Sequence, residues 1–213
     1  KRLILVLGDQ LSPDLSALQQ ADPDNDIVVM AEVAAEATYV AHHPKKIALI
    51  FAAMRKFADA LRAQGWTVLY SRLDDPDNAG SIPAELLRRA SETGATQVLA
   101  TEPGEWRLIT ALREVPLDLK LLDDTRFIAS HADFESWAEG RKALRMEYFY
   151  RLMRKKTGLL MEGTSPVGGQ WNFDQDNRKA PPKKIEHEGP LWFEPDDEVV
   201  EVLDLVEERF GTH

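Results

Sequence analysis

The chain opens with the stretch LILVLGDQLS, residues 3–12, in which five consecutive apolar residues run directly into Gly8 and Asp9. A short, uniformly apolar run is typical of a strand that is buried on both faces of a parallel sheet. Ligands of such sheets bind beyond the carboxyl ends of the strands. The stretch therefore predicts a buried central strand with a binding site at its carboxyl end.

Comparable apolar runs recur at 27–31, 67–70 and 97–100, with a weaker one at 117–121. Helical patterns separate them; the clearest spans 47–61 and stops just before Gly65, and another spans 83–92 before Gly94. Strands that alternate with helices are typical of βαβ units. We expect a five-stranded parallel Rossmann-like sheet of order 3-2-1-4-5, with helices on both faces and the first strand in the centre.

The pattern changes after Asp124. Helices are predicted at 131–139 and 146–155, and a loop rich in Gly, Pro, Asn and Asp occupies 163–184. An amphipathic helix follows near the C-terminus, and its apolar stripe either packs on its own domain or docks elsewhere. We divide the chain into an α/β domain at 1–130, a helical extension of it at 131–162, and an interdomain loop and helix at 163–213.

The composition narrows the class of protein. The formal net charge of −10 argues against nucleic-acid binding by the whole domain, although residues 141–156 carry seven basic residues and one acid. The absence of cysteine excludes disulfides, thiol catalysis and thiolate metal sites within these residues. No apolar run is long enough to span a bilayer and no signal peptide precedes the first strand, so a cytoplasmic protein is expected.

Acidic residues are concentrated where the predicted strands end. They are Asp9, Glu32, Glu36, Glu102, Glu105, Asp123 and Asp124. The turn after the first strand carries neither GxGxxG nor GxxxxGK[ST], so the phosphate-binding motifs are missing. Carboxylates accept hydrogen bonds well, which favours a neutral heterocycle with N–H and hydroxyl donors. The alternative is that the same acids cap helix N-termini.

Two further motifs have competing interpretations. In HHPKK, residues 42–46, Pro44 is typical of the first helical position, so a histidine at the lip of a pocket or at a helix cap is favoured over a metal ligand. In RKALRMEYFYRLMRKKTG, residues 141–158, basic residues alternate with aromatic ones. This helix either presents a solvated basic face or contacts an anionic partner such as a DNA backbone.

Six segments, in this order, carry a resemblance to a known family: LGDQLS, AEVAAEATYVAHHPKKIALIFAAMRKFADAL, RLDDPDNAGS, TEPGEW, WAEGRKALRMEYFYRLMRKKTGLLMEG and GGQWNFDQDNRK. They resemble the N-terminal domain of the deoxyribodipyrimidine photolyase-related proteins. This is the bacterial (6-4) photolyase and iron–sulfur cryptochrome branch of the photolyase superfamily. The resemblance extends over nearly the whole chain.

The resemblance implies an antenna domain that binds 6,7-dimethyl-8-ribityllumazine. In full-length members, a helical C-terminal domain binds FAD and a four-iron cluster, and the protein repairs (6-4) photoproducts in DNA with light or acts as a blue-light receptor. By this resemblance the whole protein is a light-driven carbon–carbon lyase or a photoreceptor, whereas the present chain alone is expected to be inactive and to have no catalytic or metal-binding residues.

Strand-end placement and the resemblance together predict the chromophore-binding residues. They are Gly8, Asp9, Gln10, Glu32, Glu36, Tyr39, His43, Ile50 and Glu102. Contacts with DNA or with the flavin domain are predicted for Arg145, Arg151, Arg154, Trp171, Asn172 and Arg178. The expected partners are the flavin domain of the same protein and, through it, damaged DNA. No membrane is expected as a partner, and the chain should be monomeric or weakly self-associating.

Two other functions are compatible with such a fold. One is a nucleotide-binding domain with adenylyl-transfer chemistry, which the missing phosphate motif disfavours. The other is an interaction module that binds no small molecule and docks through the acidic C-terminal helix. The fold by itself does not separate these functions from an antenna domain.

Overall fold

A computed structural model of the chain describes residues 1–175, 178, 180 and 188–213. The described residues form two compact units. One consists of Lys1–Arg126 together with Glu194–His213, and the other of Phe127–Phe193. We call the first the α/β unit and the second the helical unit.

The described residues form eight α-helices. They are α1 (Ser16–Gln19), α2 (Ala34–Thr38), α3 (Pro44–Ala63), α4 (Ile82–Thr93), α5 (Trp106–Arg113), α6 (His131–Ala138), α7 (Met146–Thr157) and α8 (Asp197–Phe210). None of the helices in this described part of the chain has the length and apolar character needed to cross a membrane.

The α/β unit is built on a five-stranded, all-parallel sheet. Its strands are β1 (Arg2–Leu5), β2 (Ile27–Ala31), β3 (Thr67–Ser71), β4 (Gln97–Thr101) and β5 (Asp118–Leu122), and their order is β3-β2-β1-β4-β5. The central strand β1 pairs with both neighbours, Leu3 lying opposite Ile27 on one side and Val98 on the other. The predicted fold class and strand order are confirmed.

Helices cover both faces of this sheet because successive side chains of a strand point to opposite faces. Ile4 of β1 lies in a core cluster with residues of α1, α3 and α8, whereas Leu3 and Leu5 lie in a second cluster with residues of α4 and α5. A strand that is buried on both sides has no polar face. This is the physical reason for the uniformly apolar sequence at the start of the chain.

Helix α3 has the terminal signals that the sequence indicates. The Nδ1 atom of His43 accepts a hydrogen bond from the backbone N–H of Lys45, and Pro44 occupies the first helical position. The helix ends just before Gly65, whose φ of +92° is a conformation that glycine adopts without strain. Both ends of α3 are therefore determined by local sequence.

The C-terminal helix α8 packs on α3 within the α/β unit. Its buried side chains are Val202, Val206 and Phe210, all of which belong to the core cluster that contains α3. At the start of α8 the Asp196 carboxylate accepts a hydrogen bond from the N–H of Val199 and pairs with Lys56 of α3. The apolar stripe of α8 is thus covered by its own unit.

The helical unit has a small core of its own. Trp137 of α6 packs against Phe149 and Met153 of α7. A capping box of Ser130 and Asp133 starts α6. After α7, a short antiparallel hairpin joins β6 (Met161–Glu162) to β7 (Ser165–Pro166).

The observed units differ from the predicted division of the chain. Residues 127–130 belong to the helical unit, and α8 belongs to the α/β unit instead of extending an interdomain segment. The start of the predicted 163–184 loop contains the β7 strand and a single turn of 3-10 helix at Val167–Gly169. Within that loop, residues 176, 177, 179 and 181–184 lie outside the described residues.

Candidate functional site

A cavity of about 170 Å³ lies where β1, β2 and β4 end. In the strand order, the direction of succession reverses between β1 and β4, and ligands of open parallel sheets bind at such switch points. Most of the lining is apolar and includes Ile47, Ile50, Phe51, Met54, Ile82 and Leu108. The polar side chains of the lining are Asp9, Glu36, Tyr39, His42, Lys46 and Glu105.

Gly8 forms part of the floor and brings the end of the central strand close to α3. A Cβ atom at this position would lie 2.8 Å from Cγ2 of Ile50 and 3.0 Å from Sδ of Met54. Both distances are shorter than ordinary van der Waals contacts, so a side chain here would push strand and helix apart. The glycine after the apolar run is thus explained by close packing, in a position that also borders the cavity.

Four side chains, Glu36, Tyr39, Glu105 and Arg107, form a hydrogen-bonded group at the cavity that we call the rim cluster. Arg107 donates from Nη1 to Oε1 of Glu36 at 3.0 Å, and from Nη2 to Oε2 of Glu36 at 2.7 Å and to Oε2 of Glu105 at 3.0 Å. The Tyr39 hydroxyl donates to Oε1 of Glu105 at 2.9 Å. The cluster therefore links α2 to the start of α5.

The rim cluster is also coupled electrostatically. Its guanidinium lies over the Tyr39 ring, 4.3 Å from the ring centroid, and the hydrogen bond to Glu36 is the main cause of a raised pKa for Arg107. Burial opposes ionisation of Glu105, but hydrogen bonds from Tyr39 and Arg107 outweigh it and lower the pKa of that carboxyl. The rim thus combines two carboxyl groups with a guanidinium that is already paired.

The two adjacent histidines have different environments. His42 lines the cavity, packs edge-on against the Tyr39 ring with centroids 4.9 Å apart, and has its Nδ1 atom 3.2 Å from Nζ of Lys46. His43 caps α3 and does not line the cavity. Among the described residues, no three potential metal ligands converge. The pocket-lip and cap interpretations of HHPKK thus apply to one histidine each.

The structure brings together five of the nine predicted binding residues. Gly8, Asp9, Glu36, Tyr39 and Ile50 line the cavity. The other four, Gln10, Glu32, His43 and Glu102, do not line it. Seven of the nine positions follow the ends of β1, β2 and β4, and two lie on α3 or at its start, so closeness to this edge does not by itself place a side chain in the cavity.

Gln10 and Glu32 are buried in the protein interior. The Gln10 amide, 1% exposed, donates to the carbonyl oxygens of Thr101 and Glu102 at 3.2 and 3.3 Å, which ties the turn after β1 to the end of β4. Glu32 is fully buried and accepts hydrogen bonds from Arg55, from the Tyr70 hydroxyl and from a backbone N–H. These contacts give both side chains a role in organising the cavity edge rather than in lining it.

Sequence reasoning about binding residues missed four side chains at this site. Glu105 is one of the strand-end acids but is not among the nine predicted binding residues. His42 is one of the two histidines for which a pocket lip is an open interpretation, and Lys46 and Arg107 have no predicted role in binding. His42 and Lys46 are separated by about one helical turn, which is the spacing at which side chains around a helix start become neighbours. No pattern in the sequence marks Arg107, because its carboxylate partner Glu36 lies 71 residues earlier.

The candidate DNA or interdomain contacts all belong to the helical unit. Arg154 is only 6% exposed and donates to the carbonyl oxygens of Leu159, Leu160 and Trp171, so its charge is used within this unit. Arg151 pairs with Glu147 at 2.6 Å. Most of the N–H donors of these two guanidinium groups are thus hydrogen-bonded within the helical unit.

The remaining candidates have different surroundings. Asn172 donates to Glu147 at 2.9 Å. The Trp171 ring lies within 5.4–5.5 Å of the cationic groups of Arg151, Arg154 and Lys155. Arg145 and Arg178 are exposed. Their contact with a partner remains a prediction.

The five-stranded parallel sheet and the cavity at its strand ends define a Rossmann-like α/β domain, and comparison with known proteins shows its family. Residues 4–213 match the model of the family described as "Deoxyribodipyrimidine photo-lyase-related protein". The chain belongs to this family, which confirms the resemblance carried by the six segments.

Two curated relatives differ in how much of their length is matched. A "(6-4) photolyase" of Agrobacterium fabrum is 49% identical over 214 residues, which cover 98% of this chain and 42% of that protein. The "Uncharacterized protein R852" of Acanthamoeba polyphaga mimivirus is 24% identical over 201 residues, which cover 87% of this chain and 97% of that protein. The chain thus spans less than half the length of the photolyase that it resembles.

Proposed function

We propose that this chain is the antenna-chromophore-binding domain of a photolyase-type protein, and that its cavity holds 6,7-dimethyl-8-ribityllumazine. The observation that carries the proposal is the cavity itself, which combines an apolar interior with a hydrogen-bonding rim at the carboxyl ends of the strands. Family membership and the 49% identity to a (6-4) photolyase support it.

The lining fits the chemistry of a ribityllumazine. Apolar side chains such as Ile50, Phe51 and Met54 suit the dimethyl-substituted ring, and they limit contact with water. The ring N–H and the ribityl hydroxyls need hydrogen-bond acceptors, and the carboxylates of Asp9, Glu36 and Glu105 supply them. When bound, such a chromophore absorbs near-ultraviolet and blue light and passes the excitation energy on.

We further propose that the whole protein is a light-driven DNA repair enzyme or a blue-light receptor. In this proposal FAD and a four-iron cluster are bound outside the present residues, and damaged DNA is contacted by the whole protein. The support is the named activity of the relative, of which this chain matches 42%. The present residues then hold and orient a chromophore, a task that needs no acid, base or nucleophile.

The two alternative functions have less support. Three carboxylates at the cavity disfavour an anionic polyphosphate, which a nucleotide-binding domain must accommodate. An interaction module that docks through α8 would need the apolar stripe of that helix, which is packed on α3. The cavity therefore favours the binding of a small neutral ligand over either of these alternative functions.

The test is a titration of the purified chain with 6,7-dimethyl-8-ribityllumazine, followed by absorption and fluorescence. Ile50→Phe enlarges a side chain that lines the cavity and should weaken binding at least about tenfold. Leu49→Phe is the matched control, because Leu49 is the neighbouring α3 residue and is 68% exposed. Its dissociation constant should equal that of the unmodified chain.

The antenna proposal is contradicted if the folded chain binds no lumazine, or if both variants bind it equally well. A second assay addresses the location of catalysis. Illumination of an oligonucleotide that contains a (6-4) photoproduct, with this chain and FAD added, should give no repair above the protein-free control. Repair would place a catalytic site within these 213 residues.

A further inference from the structure

We infer that the rim cluster selects for ligands without a phosphate group, because Glu36 and Glu105 occupy the guanidinium of Arg107. This inference deepens the proposed function and rests on it: it names neutral ribityl compounds as the ligand class and excludes their 5′-phosphates. The residues that decide the choice are the two glutamates and the arginine between them.

The first step is the state of Arg107. Both of its terminal nitrogens donate to carboxylate oxygens, Nη1 to Glu36 and Nη2 to Glu36 and Glu105, at distances of 2.7–3.0 Å. One face of the guanidinium lies against the Tyr39 ring. An arginine binds phosphate through the same paired N–H groups, so this one has few donors left for a ligand.

The second step is the charge around the cavity. Asp9, Glu36 and Glu105 contribute three carboxylates, against the two cations Lys46 and Arg107. Lys46 directs its Nζ atom toward Nδ1 of His42 at 3.2 Å. A phosphate monoester carries a charge of about −1.5 to −2 at neutral pH and would meet this excess of negative charge.

Another arginine close to the cavity is also engaged. Arg126 donates from Nε and Nη2 to the Asp124 carboxylate and from Nη1 to the backbone carbonyl of Asp9, at 2.7–2.9 Å. Because Arg126 contacts the backbone of Asp9 and not its side chain, the Asp9 carboxylate stays available as an acceptor for a ligand. Hydroxyl groups of a neutral ribityl chain can donate to such acceptors, whereas the dianionic form of a phosphate has no proton to donate to them.

The experiment compares 6,7-dimethyl-8-ribityllumazine with its 5′-phosphate ester by fluorescence titration. For the unmodified chain, the dissociation constant of the ester should exceed that of the neutral compound at least about tenfold. In the variant Glu36→Gln/Glu105→Gln, which we call the rim double variant, Arg107 loses both negatively charged partners and can pair with a phosphate instead, so this ratio should fall at least about tenfold. We use the ratio of the two dissociation constants because a substitution that weakens the binding of both compounds equally leaves this ratio unchanged.

Two further variants identify the cause. Asp204→Asn/Glu208→Gln makes the same change of net charge on exposed positions of α8 and should leave the ratio unchanged. Adding Arg107→Gln to the rim double variant should restore the preference for the neutral compound. The inference is overturned if the double variant keeps the original ratio, or if the triple variant still accepts the ester.

A second readout does not require the lumazine to bind. In the unmodified chain, the NMR signal of the Arg107 Nε–H, identified by its loss in Arg107→Gln, should not shift on addition of ribitol 5-phosphate. In the rim double variant it should shift saturably. If neither lumazine binds the unmodified chain, the proposed function fails; if this signal shifts saturably before any substitution, the inference fails on its own.

Discussion

The carboxylate of Glu32 accepts hydrogen bonds from Nε and Nη2 of Arg55 at 2.7 and 3.1 Å, and both side chains are almost completely buried. Glu32 follows β2 directly, and Arg55 lies on α3. The same carboxylate accepts hydrogen bonds from the Tyr70 hydroxyl of β3 and from the N–H of Leu73. A single buried acid thus connects two strands, the helix beside the cavity and the loop that follows β3.

This arrangement predicts a large loss of stability when Glu32 is neutralised. Glu32→Gln removes the buried counter-ion of the Arg55 guanidinium and leaves it only the half-exposed carboxylate of Glu201 at 3.3 Å, so it should lower the free energy of unfolding by about 3 kcal/mol. Glu36→Gln is the matched control, because Glu36 pairs with an arginine that is 40% exposed, and it should cost less than about 1 kcal/mol. Urea denaturation measures both, and equal losses would contradict a structural role for Glu32.

A second buried acid predicts a pH dependence of stability. Burial opposes ionisation of Glu85, but hydrogen bonds from Arg88, the Ser71 hydroxyl and the N–H of Ala79 outweigh it and lower the pKa of the Glu85 carboxyl. Its stabilising contribution is therefore complete above the ordinary pKa of 4.5 and is lost as the pH falls through the lower folded-state value.

The matching variant is Glu85→Gln. At pH 7 it should lower the free energy of unfolding by about 3 kcal/mol, and the difference from the unmodified chain should shrink as the pH falls below 4.5. Glu92→Gln, which neutralises a 43% exposed partner of Arg88, should cost less than about 1 kcal/mol. A difference for Glu85→Gln that is constant from pH 7 to acid would refute this assignment.

Close packing at Gly8 predicts intolerance to the smallest side chain. Gly8→Ala places a methyl group 2.8 Å from Cγ2 of Ile50 and should destabilise the chain by about 1–3 kcal/mol. At Gly104, the nearest atom to a Cβ among the described residues, apart from its chain neighbours, would be Asp9 Oδ2 at 3.9 Å, so Gly104→Ala should change stability by less than about 0.5 kcal/mol. Thermal unfolding measures both variants. Equal midpoints for Gly8→Ala and Gly104→Ala would contradict the close packing at Gly8.

Charge reversal at the rim predicts weaker binding of a neutral chromophore. Glu36→Lys removes an acceptor from the cavity and places a second cation beside Arg107, and it should lower the affinity for the lumazine about tenfold, or 1.4 kcal/mol. Asp204→Lys on the exposed face of α8 is the control and should bind normally. An unchanged dissociation constant in folded Glu36→Lys would remove Glu36 from the site.

The packing of α8 predicts that its apolar stripe stabilises the α/β unit. Phe210 is 4% exposed in the core cluster shared with α3, so Phe210→Ala should lower the free energy of unfolding by about 3–5 kcal/mol. Leu203 on the same helix is 45% exposed, and Leu203→Ala should cost less than about 0.5 kcal/mol. Similar small losses in both variants would mean that α8 is not part of the core.

The sequence alone was sufficient for the sheet and for the edge at which the cavity lies. Leu3, Ile4 and Leu5 are apolar without alternation, and only a strand covered on both faces has no polar side, so the central position of β1 follows directly. Helix boundaries such as Pro44 and Gly65 are equally local, since they depend on the conformational preferences of single residues.

Only the tertiary structure decided which polar side chains reach the cavity. Glu32 and Glu36 are both acids after the same strand, yet one is buried with Arg55 and the other faces the rim. His42 lines the cavity while His43 caps a helix. A shift of one residue turns a side chain by about 100° around a helix or to the opposite face of a strand, and the partners that stabilise each direction lie far away in the sequence.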